Sequence, residues 1–401
     1  AEDDARMVAA VARTAVAHGA HVATRARVLR LLAGGRGVAG AEVLDEETGE
    51  TVTIPARHVA LAVGASTDTL RATAAAHYAT EMRPSKGIHI TVARDKIPMS
   101  TGLLARTEKS VLFVIPTDAG WLIGDTDTPW RHGPERPVAN GADVDYLLAK
   151  TNALLERPLT REDIRGVFAG LRPLVGPAAA KDTTRLSRQH VVETPVPGLT
   201  TIAGGKYTTY RVMAADLVDA AARDLGPVPS SGTERVPIIG AEGFAAAWEQ
   251  RRDLAGRARV DAPVMERLLR RYGDRVHDVI ALIEEHPSLR SPLGADGGGG
   301  PVHLAAEVVY ACTHEGALRL EDVLERRTRL AIYAADRGLG AAAPAAALMA
   351  GVLGWSDARA EDEVQGWHRR VAAERAGEAE RDDERALRAY RAELAAAQVP
   401  P

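Results

Sequence analysis

The chain has 401 residues, of which 46% are hydrophobic and 26% charged, and its formal net charge is -4. These values are typical of a globular protein with two or three domains, and the absence of a basic excess argues against a nucleic-acid partner. The single cysteine, Cys312, excludes intrachain disulfides and cysteine-rich metal sites and fits a reducing compartment. The sequence contains no apolar run of membrane-spanning length and no signal peptide.

The first 77 residues follow an α/β pattern. The chain begins at Ala1 and opens directly into a helical pattern over residues 3–18, so we expect a fragment or a processed chain. Strand patterns at residues 22–24, 28–32, 38–44 and 51–54, with turn residues between the last three, predict a β-meander. Residues 58–64 then read as a buried strand that runs into Gly64.

One segment of this meander matches a dinucleotide-binding pattern. Residues 35–40 read G-x-G-x-x-G, but that pattern has meaning only where a strand turns into a helix. Here the following residues continue as strand into another turn. We therefore predict a hairpin turn and not a cofactor loop.

Residues 78 to about 195 predict an antiparallel sheet inserted between two α/β pieces. In the strand at residues 88–92, Ile88, Ile90 and Val92 share one face, and His89 and Thr91 share the other. Residues 111–116 and 120–124 predict a hairpin, residues 143–155 a helix, and residues 164–171 and 185–192 two further strands.

The stretch around Gly204 and Gly205 is the most informative one. A strand pattern at residues 199–203 leads into the two glycines, and a helical pattern begins after Lys206. Glycines allow a close approach of the backbone to a ligand, and a helix N-terminus offers free N–H groups and the positive end of a dipole. Together with Lys206, this turn predicts a site for an anion, although an ordinary strand-to-helix turn would look similar.

The last third of the sequence predicts an all-helical region. A Pro- and Gly-rich linker at residues 226–232 precedes it. Residues 320–329 predict one of its helices, and residues 357–398, with alternating acids and bases, predict a single solvated helix. The pair His314–Glu315 is expected to face solvent, and no histidine spacing indicates a metal site.

Basic residues at the ends of predicted strands could form an anion site. Taken singly, each is more often a surface charge or an ordinary buried histidine. Taken together, arginines would hold a phosphate or carboxylate through two-pronged bonds, and His89 could transfer a proton near neutral pH. The residues in question are Lys86, His89, Arg172, Arg185, Arg188 and Lys206.

Five short sequence blocks, in the order in which they follow one another along the chain, resemble the FAD-dependent glycerol-3-phosphate dehydrogenases. The resemblance is to the aerobic, quinone-reducing bacterial enzymes in particular. The resemblance extends to about residue 356, where residues 307–355 are similar to the family's helical cap. In that family a first strand, a G-x-G-x-x-G loop and a helix precede the equivalent of residues 3–6. The five blocks are Lys86–His89, Phe113–Pro116, Gly124–Thr128, Gly170–Leu174 and Gly204–Arg211.

The resemblance implies an α/β (α+β) FAD/NAD(P)-binding flavoprotein fold of the glutathione-reductase/D-amino-acid-oxidase type. This fold would lack its first βαβ unit and carry an antiparallel substrate-binding sheet domain and a C-terminal all-helical cap. The implied division is a partial FAD-binding domain (1–77), the substrate-binding domain (78–197), a return segment of the FAD-binding domain (198–226), a linker (227–243), the cap (244–356) and a charged C-terminal helix or tail (357–401).

The family oxidises sn-glycerol 3-phosphate to dihydroxyacetone phosphate, with hydride transfer to FAD and electrons passed to a respiratory quinone. The resemblance then implies that His89 takes the proton of the C2 hydroxyl. Arg172, Arg188 and Lys206 would hold the phosphate and the developing oxyanion, which makes His89, Arg172 and Lys206 the catalytic set. The residues expected to contact FAD are Val28, Gly64, Gly205, Lys206, Tyr207, Thr208 and Thr209.

The expected partners are glycerol 3-phosphate, a respiratory quinone and, through the quinone, the inner face of the cytoplasmic membrane, with a cytoplasmic location. A homodimer is compatible with the sequence, and neither a metal nor a nucleic acid is expected. Two alternatives stay open: an oxidase or a related flavoenzyme for another small substrate, and a non-catalytic interaction module built on the helical cap.

Overall fold

The computed structural model describes residues 3–35, 37–74, 78–108, 111–177, 189–294 and 302–396. Arg188, predicted to bind the phosphate, lies outside the described residues, as does Arg185. The strands within these ranges are β1 (Ala26–Gly34), β2 (Gly37–Asp45), β3 (Thr51–Pro55), β4 (Val59–Leu61), β5 (Thr80–Met82), β6 (Ser85–Val92), β7 (Leu103–Arg106), β8 (Val111–Thr117), β9 (Gly120–Gly124), β10 (Thr128–Pro129), β11 (Ile164–Arg172), β12 (Val175–Pro177), β13 (His190–Val196) and β14 (Leu199–Gly204).

Helices occupy both ends of the described chain, and helices contact both faces of the largest sheet. A π-helical turn spans Asp322–Arg327, and a 3-10 turn spans Tyr207–Thr209. The α-helices are α1 (Asp4–Ala17), α2 (Thr67–Arg71), α3 (Gly141–Asn152), α4 (Tyr210–Leu225), α5 (Phe244–Glu249), α6 (Arg251–Ala258), α7 (Ala262–Tyr272), α8 (Val276–Glu285), α9 (Ala305–His314), α10 (Leu330–Tyr333), α11 (Leu339–Leu353), α12 (Asp357–Ala379) and α13 (Asp383–Ala396).

The predicted meander is present as a three-stranded antiparallel sheet in the order β1-β2-β3. Gly34 lies opposite Gly37 at its first corner, so the G-x-G-x-x-G segment is a hairpin turn, as predicted. The strand predicted at residues 22–24 is wrong. The chain turns at Arg25, whose backbone is left-handed with φ 57°, and β1 begins only at Ala26.

A second three-stranded sheet carries the glycine turn. β14 pairs in parallel with β4 and antiparallel with β13, and the buried Leu199 lies opposite Val59. The chain then passes through Gly204 and Gly205 into the 3-10 turn and α4. The strand, glycine turn and helix predicted here are confirmed.

The six-stranded sheet positions the candidate site. Its central strand is β6, which pairs with β11 on one side and with β9 and then β10 on the other. Ile88, Ile90 and Val92 pack with Val144 and Leu147 of α3 in one buried cluster. Because side chains alternate along a strand, His89 and Thr91 point to the opposite face, as the alternation predicts.

The helical region packs around two buried clusters, one centred on α7, α8 and α9 and one on α9, α11 and α12. A helix is present within the predicted residues 320–329, but it is the π-helical turn and it ends before Arg329, whose backbone is left-handed with φ 64°. The expectation that Glu315 faces solvent is wrong. Its buried carboxylate pairs with Arg6 of α1 and therefore ties α1 to this region.

The single solvated helix predicted at residues 357–398 is wrong as well. The segment forms two helices, α12 and α13, that pack against each other. Trp367, Val371 and Tyr390 are buried among the charged residues, and Tyr390 packs with Trp130 of the sheet domain. The abundance of charges in the sequence hid this sparse apolar stripe.

Candidate active site

A cavity of 1170 Å³ lies between the six-stranded sheet, the start of α1 and the helical region. Its wall includes His89 and Phe168 from the sheet, Asp4 from α1, and Arg329 and Tyr333 from the helical region. Arginines outnumber carboxylates in this wall, which favours an anionic ligand. The described charged residues that line it are Asp3, Asp4 and Asp118 against Arg6, Arg13, Arg94, Arg267, Arg270, Arg271, Arg275 and Arg329.

The imidazole of His89 is held by its two neighbouring strands. On β11, Phe168 lies opposite His89, and the two rings stack with centroids 5.0 Å apart and planes 9° from parallel. On β9, the opposite residue is Gly124, where a Cβ would overlap the His89 ring. The ring thus lies over a glycine and against an aromatic side chain, which fixes its orientation toward the cavity.

The environment keeps this imidazole neutral. Burial, above all, lowers the pKa of His89 from its ordinary value of 6.5 to about 4. The positive charges of Arg172 and Arg329 lower the pKa further, while the carboxylate of Asp4 opposes them. At neutral pH one ring nitrogen therefore carries no proton, which is the state that a proton acceptor needs.

Arg172 stands at the end of β11, close to His89 but with its charge compensated. Its guanidinium donates to the carboxylate of Asp125 and, at 2.8 Å, to the carbonyl oxygen of Thr126. Asp127 lies 3.7 Å from the same side chain. The structure thus places Arg172 in an ion-pair cluster beside the imidazole.

The glycine turn lies at the opening of α4. Gly204 and Gly205 have φ of 77° and 87°, a left-handed backbone that glycine adopts without strain. The next four residues, Lys206–Thr209, are exposed. The hydroxyl of Tyr207 donates to the carbonyl oxygen of Asp4 at 3.0 Å, and Tyr207 lines the cavity.

The other two residues expected at the cofactor lie in the α/β part. Val28 is half-buried on β1 and packs with Leu31 and Leu61. Gly64 follows β4 with φ 54°, and no heavy atom lies within 4 Å of a Cβ built on it, so its backbone is open to a ligand.

Among these positions, the glycine turn before α4 fits FAD best. Exposed N–H groups at the start of a helix, behind two left-handed glycines, suit a group that gains negative charge when it is reduced. Within the described ranges, no cluster of three or more His, Cys, Asp or Glu residues could hold a metal ion. No helix in these ranges is both long and apolar enough to cross a membrane.

Two models of known protein families together match most of the chain. Residues 1–211 match the family described as FAD dependent oxidoreductase, and residues 231–360 match the C-terminal domain of alpha-glycerophosphate oxidase. The chain belongs to the FAD-dependent oxidoreductase family. The resemblance drawn from five sequence blocks, the fold class and the cofactor FAD are thereby confirmed.

Several relatives carry the name of one enzyme. Glycerol-3-phosphate dehydrogenase 2 of Mycobacterium tuberculosis is 43% identical over 382 residues, which are 95% of this chain and 64% of that protein. The bovine mitochondrial glycerol-3-phosphate dehydrogenase is 32% identical over 375 residues, or 90% of this chain and 51% of that one. The chain thus spans less than two thirds of the length of either relative.

A solved structure shows the same architecture. The glycerol-3-phosphate dehydrogenase of Bacillus halodurans, complexed with FAD, superposes with a TM-score of 0.78 at 28% identity. The superposition covers 92% of this chain and 73% of that one.

The sequence analysis did not single out three residues that share the cavity with His89. Phe168 is one of only three phenylalanines and lies on the strand after α3, so its pairing with β6 could not be read from the sequence. Asp4 was part of a helix pattern, and Arg329 was the last residue of a predicted helix. The position of Arg329 in the cavity wall depends on the π-helical turn and on the left-handed backbone at Arg329 itself.

Proposed function

We propose that the intact protein oxidises sn-glycerol 3-phosphate to dihydroxyacetone phosphate with FAD as the hydride acceptor. The observation that carries this proposal is His89, a half-buried, neutral imidazole fixed in the wall of an arginine-rich cavity. Such a cavity suits a small anionic substrate with a hydroxyl to be deprotonated. The names of the relatives supply the particular substrate.

In this mechanism His89 accepts the proton of the C2 hydroxyl as the C2 hydrogen leaves with its electron pair. The bound phosphate brings negative charge into the cavity and stabilises the imidazolium that forms, so it raises the low pKa of His89 in the complex. Bound FAD would supply the two-electron acceptor.

The stacked Phe168 ring and Gly124 keep the imidazole from rotating away from the substrate. Arg172 and Lys206 are proposed to favour the developing oxyanion, Arg172 through its field from the cluster beside His89 and Lys206 from the glycine turn. The backbone N–H groups of Tyr207 and Thr208 are proposed to hold FAD, together with Val28, Gly64, Gly205 and Thr209, whose own N–H donates to the carbonyl oxygen of Lys206.

We further propose that a respiratory quinone receives the electrons, with the protein on the inner face of the cytoplasmic membrane as a peripheral protein. The family resemblance supports this acceptor. An oxidase that passes electrons to oxygen is the alternative, and the acceptor can be assigned by the same experiment as the substrate.

The test is a visible spectrum of the purified chain after incubation with FAD, followed by anaerobic addition of glycerol 3-phosphate. We expect the flavin band to bleach with glycerol 3-phosphate and to persist with glycerol, which lacks the phosphate. A band that persists with glycerol 3-phosphate contradicts the proposed substrate. Reoxidation by a soluble quinone that is much faster than reoxidation by oxygen supports the dehydrogenase, and the reverse order supports the oxidase. If no FAD is retained, the same additions are made to a chain extended upstream.

A further inference from the structure

Arg329 enters the cavity from the helical region in a fixed conformation. It follows the π-helical turn and directly precedes α10, with a left-handed backbone that residues other than glycine rarely adopt. Such a conformation persists where the surroundings impose it. Here α10 is bound to the sheet, because the hydroxyl of Thr91 donates to the carbonyl oxygen of Ile332. Thr91 and His89 share one face of β6, so Arg329 is presented on the His89 side of the sheet.

The guanidinium of Arg329 lies beside the histidine but is loosely paired. Its central carbon is 5.9 Å from the centre of the Phe168 ring, which stacks on His89. Nη2 lies 3.5 Å from Oδ1 of Asp4, and Nε lies 3.9 Å from Oδ1 of Asp3. Both distances exceed the roughly 3 Å of an N–H···O bond. Two carboxylates thus attract this charge without using its directed N–H groups.

The neighbouring arginines are more tightly engaged. Arg6 binds both oxygens of the buried carboxylate of Glu315, and Arg172 donates to Asp125. A guanidinium already bonded in this way has less to offer a ligand. Arg329 combines closeness to His89 with hydrogen-bonding groups that the described residues do not use.

We infer that Arg329 binds the phosphate of the substrate beside His89, exchanging its loose ion pairs with Asp3 and Asp4 for two-pronged bonds to phosphate oxygens. This assignment rests on the proposed function and adds a residue of the helical region to the substrate site. The ester oxygen of glycerol 3-phosphate is two bonds from C2. A phosphate held at Arg329 therefore keeps the C2 hydroxyl close to the imidazole.

The experiment is calorimetric titration of the chain with glycerol 3-phosphate and with inorganic phosphate. Arg329→Gln is expected to raise the dissociation constant of glycerol 3-phosphate by about 10- to 100-fold, because a charge-assisted bond is lost. Arg329→Lys keeps the positive charge but not the two-pronged N–H groups of the guanidinium, so it should recover only part of the affinity. Asp4→Asn removes a competing carboxylate and should tighten binding severalfold with Arg329 present but much less in combination with Arg329→Gln, a dependence that a merely structural role of Arg329 would not give.

Arg270→Gln is the matched control, because it removes the same charge from the same cavity wall. Arg270 pairs with Asp118 in the β8–β9 turn. That turn is at the opposite end of β9 from Gly124, the partner of His89, and roughly 13 Å along the strand. We expect Arg270→Gln to change the dissociation constant by less than about twofold.

The outcomes separate this inference from the proposed function. Unchanged binding by Arg329→Gln overturns the role of Arg329 and leaves the proposed function in place. Weakened binding without any bleaching of the flavin by glycerol 3-phosphate supports the phosphate site and contradicts the proposed oxidation. A wild-type chain that binds neither glycerol 3-phosphate nor phosphate overturns the inference.

Discussion

Lys86 and His89 are two basic residues three positions apart on the same strand, and they face opposite sides of the sheet. Lys86 is fully buried, with Nζ 2.5 Å from Asp143, in contact with Asp383 and 5.6 Å from the centre of the Trp130 ring. His89 meets one aromatic ring and a glycine and borders the cavity. The ammonium group of Lys86 is thus enclosed by protein partners, whereas the imidazole of His89 can still bind a ligand.

The difference shows that burial of a charge does not by itself indicate a functional site. Two carboxylates compensate Lys86, and one of them, Asp383, comes from α13 at the far end of the chain. Asn140 donates to the same carboxylate at 2.6 Å and links it to the start of α3. Lys86 therefore fastens the C-terminal helices to the sheet, while His89 remains free for chemistry.

The largest effect is expected from His89→Gln, measured as turnover of glycerol 3-phosphate with an artificial electron acceptor. Loss of the proton acceptor should lower turnover by about 10²- to 10⁴-fold. The urea unfolding midpoint at pH 7.5 should change little, since only one aromatic stack is lost. His286→Asn, an exposed histidine of the helical region, serves as the control and should leave turnover unchanged. Full turnover by His89→Gln would mean that His89, like Lys86, has only a structural role.

The sequence predicted the alternation of β6 and hence the opposite faces of Ile88 and His89, because that pattern is local. It also predicted the glycine turn, because Gly204 and Gly205 permit the left-handed backbone that this turn requires. It could not separate Lys86 from His89, because one of the two carboxylates that pair with Lys86, Asp383, lies 297 residues away. The place of Arg329 escaped prediction for a similar reason, since the contact of α10 with Thr91 spans 241 residues.

The second-largest effect is a loss of stability, expected from a substitution of Lys86 on the face of β6 opposite His89. Lys86→Met leaves the buried Asp143 and the half-buried Asp383 without their counter-charge. We expect the free energy of unfolding to fall by about 3 kcal/mol, the loss typical of a broken buried ion pair. Urea denaturation followed by tryptophan fluorescence measures this change, since Trp130 lies beside the lysine.

Lys96→Met makes the same substitution in a half-exposed ion pair with Asp163, just after β6. It should lower the free energy of unfolding much less than Lys86→Met does, because solvent screens the exposed pair. The double variant Lys86→Met/Asp383→Asn should recover part of the loss. Equal stability of the Lys86 and Lys96 variants would contradict the role of Lys86 in fastening α13.

The smallest effect is the pH dependence that His89 gives to stability. The pKa of His89 is about 4 in the folded chain, chiefly through burial, against 6.5 for an ordinary histidine. The unfolded chain therefore takes up the proton first as pH falls, so the contribution is complete above pH 6.5 and is lost between 6.5 and 4. Between pH 7 and pH 5 this loss is about 2 kcal/mol. His303, whose pKa burial also lowers to about 4, contributes in the same window in every variant. The urea midpoint should therefore fall more between pH 7 and pH 5 for the wild-type chain than for His89→Gln. An equal fall in the two proteins would show that the imidazole is not held neutral by its surroundings.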